Sequence, residues 1–141
     1  MTGLIVLVVV LMLSTGFGLV HRSRQGRVRA GRAGAGRATL RAELALLGHE
    51  PGQRATLLQF SSAFCAPCRA TRRVLGEVVE LVPGVTHIEV DAEHHLELVR
   101  RLGVLKTPTT LVLDADAREV KRASGQPRKA DVLAALGQAL P

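Results

Sequence analysis

The chain has 141 residues, which is enough for one domain of about 100 residues and an appendage. Hydrophobic residues make up 47% of it, but the only aromatic residues are three phenylalanines, so any core is mainly aliphatic. The net charge of +7 comes from arginines that precede the first acidic residue, Glu43, and the rest of the chain is neutral. A neutral domain behind a basic leader is not typical of nucleic-acid-binding proteins.

The first predicted element is an uncharged apolar run from Gly3 to Val20. It is long enough to cross a bilayer as a helix. A cleavable secretory signal is the alternative, and it normally has a basic region before the apolar run and a small-residue cleavage site after it. No Lys or Arg precedes this run, which ends in Val20-His21-Arg22. Residues 1–20 are therefore predicted to be a transmembrane anchor.

Residues 21–38 are rich in Arg and Gly and have no apolar periodicity, which predicts a flexible basic linker lying on anionic lipid. No aromatic residue is interleaved for base stacking, so the segment gives little support to RNA binding. Every nearby Arg follows the span and none precedes it, and positive charge beside a span favours the cytoplasmic side. The prediction is a single-pass protein of the cell membrane with residues 21–141 in the cytoplasm.

Residues 39–141 have the pattern of one folded domain. Helices are predicted from apolar residues at helical spacing, and strands from short apolar or alternating runs bounded by turn residues. In chain order the predicted elements are a helix at Leu40–Leu47 capped by Thr39, a strand at Ala55–Phe60, a helix at Cys65–Val82, a strand at Val85–Asp91, a helix at Ala92–Leu102, a hairpin of strands at Thr109–Asp114 and Arg118–Ala123, and a helix at Lys129–Leu140. This order predicts an α/β domain with a mixed sheet between helices, whose first two strands are parallel.

The only two cysteines, Cys65 and Cys68, lie where the first predicted strand gives way to a helix. A Cys-x-x-Cys pair keeps two sulfurs within bonding reach, and the helix N-terminus favours a thiolate at the first. The pattern suits reversible thiol–disulfide exchange and needs no cofactor, because the sulfurs carry the electrons. A zinc site would need more ligands, such as His94 and His95, so no metal is predicted. A purely structural disulfide closing so small a loop would add little stability.

Four features of the domain occur together: the strand followed by Cys65-Ala66-Pro67-Cys68-Arg69, the strand end at Val90-Asp91, Thr107-Pro108-Thr109, and Gly125 after the terminal hairpin. In this combination the chain resembles the thioredoxin fold family from Thr39 to Leu140. The resemblance implies a thioredoxin fold and protein-disulfide reductase activity. It also implies protein disulfide substrates and an electron donor of the thioredoxin-reductase type.

The resemblance assigns roles to individual residues. It implies that Cys65 attacks the substrate disulfide and that Cys68 resolves the mixed disulfide. Pro108 is similar to the family's cis-proline, which would place the backbone of Thr107 beside Cys65, where it could pair with an extended substrate. Gly125 is similar to the small residue that lets a substrate chain approach closely.

The chain departs from the family pattern around the cysteines. Thioredoxins usually have Trp before the first cysteine and Gly after it, where this chain has Phe64 and Ala66. Pro67 would stiffen the turn and tune the redox potential. Gln59 replaces the family's buried acidic residue, and an amide cannot accept the proton of the resolving cysteine. His87 aligns with the family's partner lysine, so we hypothesise that Gln59 and His87 form a neutral pair in which His87 relays the proton; a polar strand residue without a role is the alternative.

Two other functions remain open from the sequence. In the first, the domain faces outward as a thiol–disulfide oxidase, isomerase or cytochrome-maturation reductase. In the second, it is a thioredoxin-like binding module with little turnover, an interpretation that the missing acid keeps open.

Overall fold

The protein is described by a computed structural model that covers residues 2–24, 28–30 and 37–141. Its elements are α1 (Thr2–Arg24), β1 (Val28–Ala30), α2 (Arg37–Leu46), β2 (Ala55–Ser61), α3 (Ala66–Leu81), β3 (Val85–Asp91), α4 (Leu96–Arg101), β4 (Thr109–Asp114), β5 (Glu119–Ser124) and α5 (Lys129–Ala139). Every element predicted for the folded domain is present. The predicted bounds of β3 and β4 are confirmed to the residue.

The strands form one mixed sheet in the order β1-β5-β4-β2-β3. Strands β2 and β3 are parallel, as a helical crossover through α3 requires, and β4 and β5 form an antiparallel hairpin. Strand β4 also pairs antiparallel with β2, so β2 is central. The predicted fold class, a mixed central sheet flanked by helices with an apolar helix before it, is confirmed.

Alternation along β2 decides what each side of the sheet contains. Leu58 and Phe60 belong to a core cluster that includes residues of α2 and α4. Ala55 and Leu57 belong to a second cluster, with residues of α3 and α5. Because side chains alternate along a strand, Gln59 lies on the same face as Leu57, towards α3. Both faces of β2 are covered, and each of its residues is buried.

Two helices begin three or more residues away from the predicted starts. Helix α2 begins at Arg37, so Thr39 lies within the helix and is not its cap. Helix α4 begins at Leu96, four residues later than predicted. The difference arises because the Asp91 carboxylate accepts a hydrogen bond from the Glu93 N–H at 2.8 Å, which holds the chain in a turn before the helix starts.

Strand β1 falls within residues 21–38, which the sequence pattern assigns to a linker. It pairs antiparallel with β5, with Val28 opposite Ala123 and Ala30 opposite Lys121. The outer edge of β5 would otherwise present unpaired N–H and C=O groups, and β1 provides hydrogen-bond partners for some of them. Three residues are too few to produce a recognisable alternation, so this pairing has no local signal.

Helix α1 contains a segment, Gly3–His21, that is long and apolar enough to cross a membrane. Its mean hydropathy is 2.6, and no part of this apolar stretch is buried against the rest of the structure. A signal sequence near an N-terminus has the same length and composition, so these two properties fit an anchor and a signal sequence alike.

Candidate active site

The cysteine pair lies at the start of α3, as the sequence predicts. Cys65 is the residue that caps the helix, and Pro67 lies in the first turn. The two sulfurs are joined in a disulfide, with Cα atoms 5.2 Å apart. The N–H of Cys68 donates a hydrogen bond to the Cys65 sulfur at 3.2 Å, while Cys68 itself is only 2% exposed. An N–H group of the helix end is thus directed at Cys65, where it would stabilise a thiolate after reduction.

Phe64 presents its ring at the edge of this loop. Its side chain is fully exposed, and its φ of 57° lies in the left-handed region that non-glycine residues seldom adopt. Ala66 and Pro67 are exposed as well. The exposed apolar surface of the cysteine loop therefore includes the Phe64 ring and the small side chains of Ala66 and Pro67.

The loop before β4 contains the predicted cis-proline. The Thr107–Pro108 peptide bond is cis, which confirms that expectation. The carbonyl oxygen of Pro108 accepts a hydrogen bond from the N–H of Gly125 at 2.7 Å, and Gly125 has a φ of 90° that favours glycine. The hydroxyls of Ser62 and Thr107 lie 2.8 Å apart and connect this loop to the cysteine loop.

Strand register explains why these segments meet. Phe60 at the end of β2 is opposite Thr109 at the start of β4, and Thr109 is opposite Ser124 at the end of β5. The cysteine loop, the cis-proline loop and Gly125 therefore lie at one end of the sheet. This is the carboxyl end of the parallel strands, where ligand sites of open α/β sheets occur.

Gln59 lies beneath Cys68 and is completely buried. Its Nε2 donates to the carbonyl oxygen of Cys68 and to the hydroxyl of Ser61, both at 2.9 Å. Its Oε1 lies 3.0 Å from Nε2 of His87. A main-chain carbonyl can only accept, so the amide nitrogen faces Cys68 and the amide oxygen faces His87. The predicted contact between Gln59 and His87 is present.

This orientation determines the protonation state of His87. Since Gln59 Oε1 can only accept, the neutral imidazole carries its proton on Nε2, and Nδ1 is the atom that would gain a second proton. Burial lowers the pKa of His87 below its ordinary value of 6.5; the charge of Glu89 raises it and that of Arg72 lowers it, and the net direction is downward. His87 is therefore neutral near pH 7. Gln59 connects it to the main chain of Cys68 and not to the sulfur, so the proton relay stays a prediction.

Three residues of the site were not identified from the sequence: Ser61, Glu89 and Arg72. The hydroxyl of Ser61 donates to Glu89 Oε1 at 2.6 Å, and the guanidinium of Arg72 on α3 contacts both carboxylate oxygens of Glu89, at 2.6 and 2.8 Å. Glu89 lies two residues after His87 in an alternating strand, so both point to the α3 face. The two-residue spacing of His87 and Glu89 in a predicted strand was the only feature of the sequence that could have placed Glu89 in the site. We call Gln59, Ser61, His87 and Glu89 the polar layer.

Glu89 is ionised over most of the pH range. Burial raises its pKa, but the hydrogen bonds from Arg72 and Ser61 and the charges of Arg72 and His87 outweigh this and hold the pKa below its ordinary value of 4.5. The negative charge is therefore present in the polar layer, although three hydrogen bonds, through Ser61 and Gln59, separate it from the Cys68 carbonyl. The family's buried acid would occupy the position of Gln59 itself.

The histidines weighed as zinc ligands are separate from the cysteines. Nδ1 of His94 lies 2.8 Å from the Asp91 carboxylate, and that hydrogen bond is the main cause of the lowered pKa of Asp91. Over residues 2–24, 28–30 and 37–141 no group of three or more His, Cys, Asp or Glu side chains is placed to hold a metal ion.

A redox-active cysteine pair at a helix N-terminus, beside a cis-proline loop on a mixed sheet, defines a thiol–disulfide oxidoreductase with a thioredoxin fold. A family model described as a thioredoxin-like domain matches residues 48–140. The chain belongs to the thioredoxin-like family.

Relatives and solved structures agree with this assignment. The chain is 33% identical over 86 residues to a thioredoxin of Mycobacterium tuberculosis, which covers 60% of this chain and 73% of the relative. It is 31% identical over 90 residues to a thioredoxin of Alicyclobacillus acidocaldarius, covering 63% and 85%. A thioredoxin from Fasciola hepatica superposes with a TM-score of 0.58 at 24% identity, over 70% of this chain and 92% of that chain. A thioredoxin from Nicotiana alata gives 0.59 at 19% identity, over 80% and 96%, and these two structures show the fold.

Proposed function

We propose that the protein is a membrane-anchored protein-disulfide reductase. One observation carries the proposal: Cys65, at the N-terminus of α3, and the cis Thr107–Pro108 loop lie at the same end of the sheet. The substrate is a disulfide in another protein. Residues 1–20 form the anchor, and the arginines that follow it favour a cytoplasmic domain.

The reaction begins with Cys65 as a thiolate. It attacks one sulfur of the substrate disulfide, forms a mixed disulfide and releases the other substrate sulfur, which takes a proton. Cys68 then loses its proton and attacks the Cys65 sulfur. The second substrate thiol leaves and the Cys65–Cys68 disulfide forms. Two electrons have passed from the protein to the substrate, and the two substrate thiols have taken up two protons, one released by Cys68 and one from the solvent.

Each contact around the pair supports a step. The Cys68 N–H stabilises negative charge on the Cys65 sulfur both before attack and when it leaves in the reverse direction. Burial of Cys68 keeps it from reacting with a substrate directly. Phe64, Ala66, Pro67 and Thr107 would contact the substrate chain around Cys65, and Gly125 adds no side chain that would block it.

The disulfide form must be reduced again by an external donor. The proposed donor is a dithiol or flavoenzyme of the thioredoxin-reductase type, which supplies the two electrons that return Cys65 to the thiolate and Cys68 to the thiol. The protein carries out the exchange with its own sulfurs and without a cofactor.

Reduction of insulin disulfides by the full-length protein in detergent, with dithiothreitol as electron source, tests the activity. Wild type should accelerate the reduction, and the double variant Cys65→Ser/Cys68→Ser should not. Equal rates for the two proteins would instead support a thioredoxin-like binding module.

Labelling in intact cells with a membrane-impermeant maleimide tests the topology. A cysteine introduced as Thr2→Cys in the Cys65→Ser/Cys68→Ser background should be labelled from outside. Cys65 of the Cys68→Ser variant, which cannot form the internal disulfide, should be protected until the cells are opened. Labelling of Cys65 from outside would overturn the cytoplasmic assignment and favour an oxidase, isomerase or cytochrome-maturation reductase. Loss of residue 2 from the mature protein would identify a cleaved signal sequence.

A further inference from the structure

We infer that the active site faces the membrane surface, so that its substrates are disulfides of integral membrane proteins held close to the bilayer. The inference deepens the proposed function and rests on its membrane anchor and its thiol–disulfide exchange. It comes from the direction of β1, the strand that joins the domain to α1.

Strand β1 starts at the active-site end of the sheet. Val28, its first residue, is opposite Ala123 of β5, and Ala123 is opposite Thr110 of β4. Thr110 is in turn opposite Gln59, the residue beneath Cys68. The four residues form one row across the sheet. Because β1 is antiparallel to β5, the chain before Val28 continues from the end of the sheet that holds the cysteine loop.

The connection from β1 to the apolar helix is short. Only residues 25–27 separate Arg24, the end of α1, from Val28. Four Cα steps span at most about 14 Å even when fully extended. The candidate span ends at His21, and the remaining turn of α1 adds about 5 Å. The first residue of β1 therefore lies within about 20 Å of the membrane boundary.

The two ends of the sheet differ enough in height for this tether to matter. Strand β4 has six residues and is about 20 Å long, and the β4–β5 turn lies at its far end. The cysteine loop extends beyond the near end. Across the sheet, β1 and β2 are three strand spacings apart, or about 14 Å. The short connection from α1 to Val28 thus ends on the active-site side of the sheet, and the β4–β5 turn points away from the bilayer.

Side chains at the active-site end suit this position. Phe64 is fully exposed and Leu105, in the cis-proline loop, is 92% exposed. Arg69 and Lys106 are exposed beside them and can approach anionic headgroups. The exposed acidic residues Asp91, Glu93 and Glu97 lie at or just after the end of β3, the strand at the edge of the sheet farthest from β1. An apolar and cationic surface is therefore nearest the predicted bilayer.

Resonance energy transfer to the lipid headgroups tests the orientation of the domain independently of its enzymatic activity. The full chain would be placed in nanodiscs with an acceptor dye on a fraction of the lipid headgroups, and a donor dye attached through Leu105→Cys or Asp116→Cys in the Cys65→Ser/Cys68→Ser background. Position 105 lies at the active-site end, and position 116 is exposed in the β4–β5 turn. Transfer from position 105 should be the greater. Equal transfer, or greater transfer from position 116, would overturn the inference.

Two insertions provide a matched pair. About twenty Gly/Ser residues inserted between Arg24 and Gln25 would lengthen the tether by about 25 Å and abolish the difference in transfer. The same insertion between Ala33 and Gly34 leaves residues 25–27 and β1 as they are, and should keep the difference. If both insertions act alike, the short tether is not what orients the domain.

Reduction of two membrane-embedded reporters tests the substrate class. Each reporter is a single-pass helix with a disulfide loop, placed either directly after the span or beyond a helical spacer of about 60 Å. Wild type should reduce the near loop at least about tenfold faster, since the tether raises its effective concentration. Equal reduction of both loops by a protein that reduces insulin would overturn the inference and leave the proposed function intact. Failure to reduce insulin would instead refute the proposed function, and the energy-transfer result would still decide the orientation.

Discussion

The exposed half of the site and the polar layer beneath it are built in different ways. At the surface, Cys65 caps a helix beside a cis-proline loop, the arrangement that the thioredoxin-like family predicts. Beneath it, an amide replaces the family's acid, and the carboxylate of the layer belongs to Glu89, on the neighbouring strand. If the polar layer takes part in deprotonating the second thiol, as predicted, attack by the first thiol and deprotonation of the second would depend on separate sets of residues, which substitutions can distinguish.

The largest effect is expected at the surface. Cys65→Ser should reduce disulfide reduction to the uncatalysed rate, because no other thiolate is accessible to begin the exchange. Cys68→Ser should instead accumulate the mixed disulfide with Cys65, detectable as a covalent adduct on a non-reducing gel. An adduct through Cys68 in the Cys65→Ser protein would reverse the two roles.

Gln59→Ala should have the largest effect on stability within the polar layer. It removes the donor to the buried Cys68 carbonyl and the acceptor for His87. Leaving such groups unpaired should lower the free energy of unfolding by about 2–3 kcal/mol. Denaturation of the oxidised protein in detergent measures it, with Gln53→Ala, at an exposed position, as the matched control. An equal loss in both variants would show that the bonds of Gln59 contribute nothing net.

His87→Ala tests the proposed relay. If neutral His87 takes the proton of Cys68, the wild-type rate should fall about tenfold per pH unit below its lowered pKa, which lies under 6.5. That decrease should be absent from His87→Ala and present in His95→Ala, whose side chain makes no capping bond. A pH profile that is unchanged in His87→Ala removes this residue from the mechanism.

Glu89→Gln should lower the free energy of unfolding by about 1 kcal/mol at pH 7, because it removes the ion pair that Glu89 forms with the exposed Arg72. The folded-state pKa of Glu89 lies below its ordinary value, so its stabilising contribution is present above pH 4.5 and is lost as the pH falls through the lowered pKa. The difference between wild type and Glu89→Gln should therefore vanish in acid. Glu80→Gln, at an exposed position on the same α3 helix, is the matched control.

The smallest effect should come from Thr71→Val. The hydroxyl of Thr71 is buried on α3, and among the described residues it makes no hydrogen bond. Replacing it with a methyl group removes a desolvated polar atom, so the change in unfolding free energy should lie within about 0.5 kcal/mol of zero. The same denaturation measurement checks it. A loss of the size expected for Gln59→Ala would reveal a partner for this hydroxyl.

The local pattern of the chain was sufficient for the elements of residues 39–141 and for the reactive pair, but not for β1. Alternation predicted β3 at Val85–Asp91, and Pro108 and a turn predicted β4 at Thr109–Asp114. The cis peptide bond followed only from the family resemblance, since a proline by itself is usually trans. The start of α4 was misplaced because a single side-chain hydrogen bond from Asp91 decided it.

The chemistry follows from the local sequence. Two cysteines at a strand–helix junction specify a dithiol, because the short distance between their sulfurs and the helix end beside them are both local properties. How that dithiol is supported depends on tertiary contacts, and the proposed orientation of the site also rests on them. Ser61 donates a hydrogen bond to Glu89, 28 residues further along the chain, and Val28 pairs with Ala123, which is more distant still in the sequence. Such contacts depend on strand register, which is set by the packing of the whole sheet and is not encoded in any single stretch.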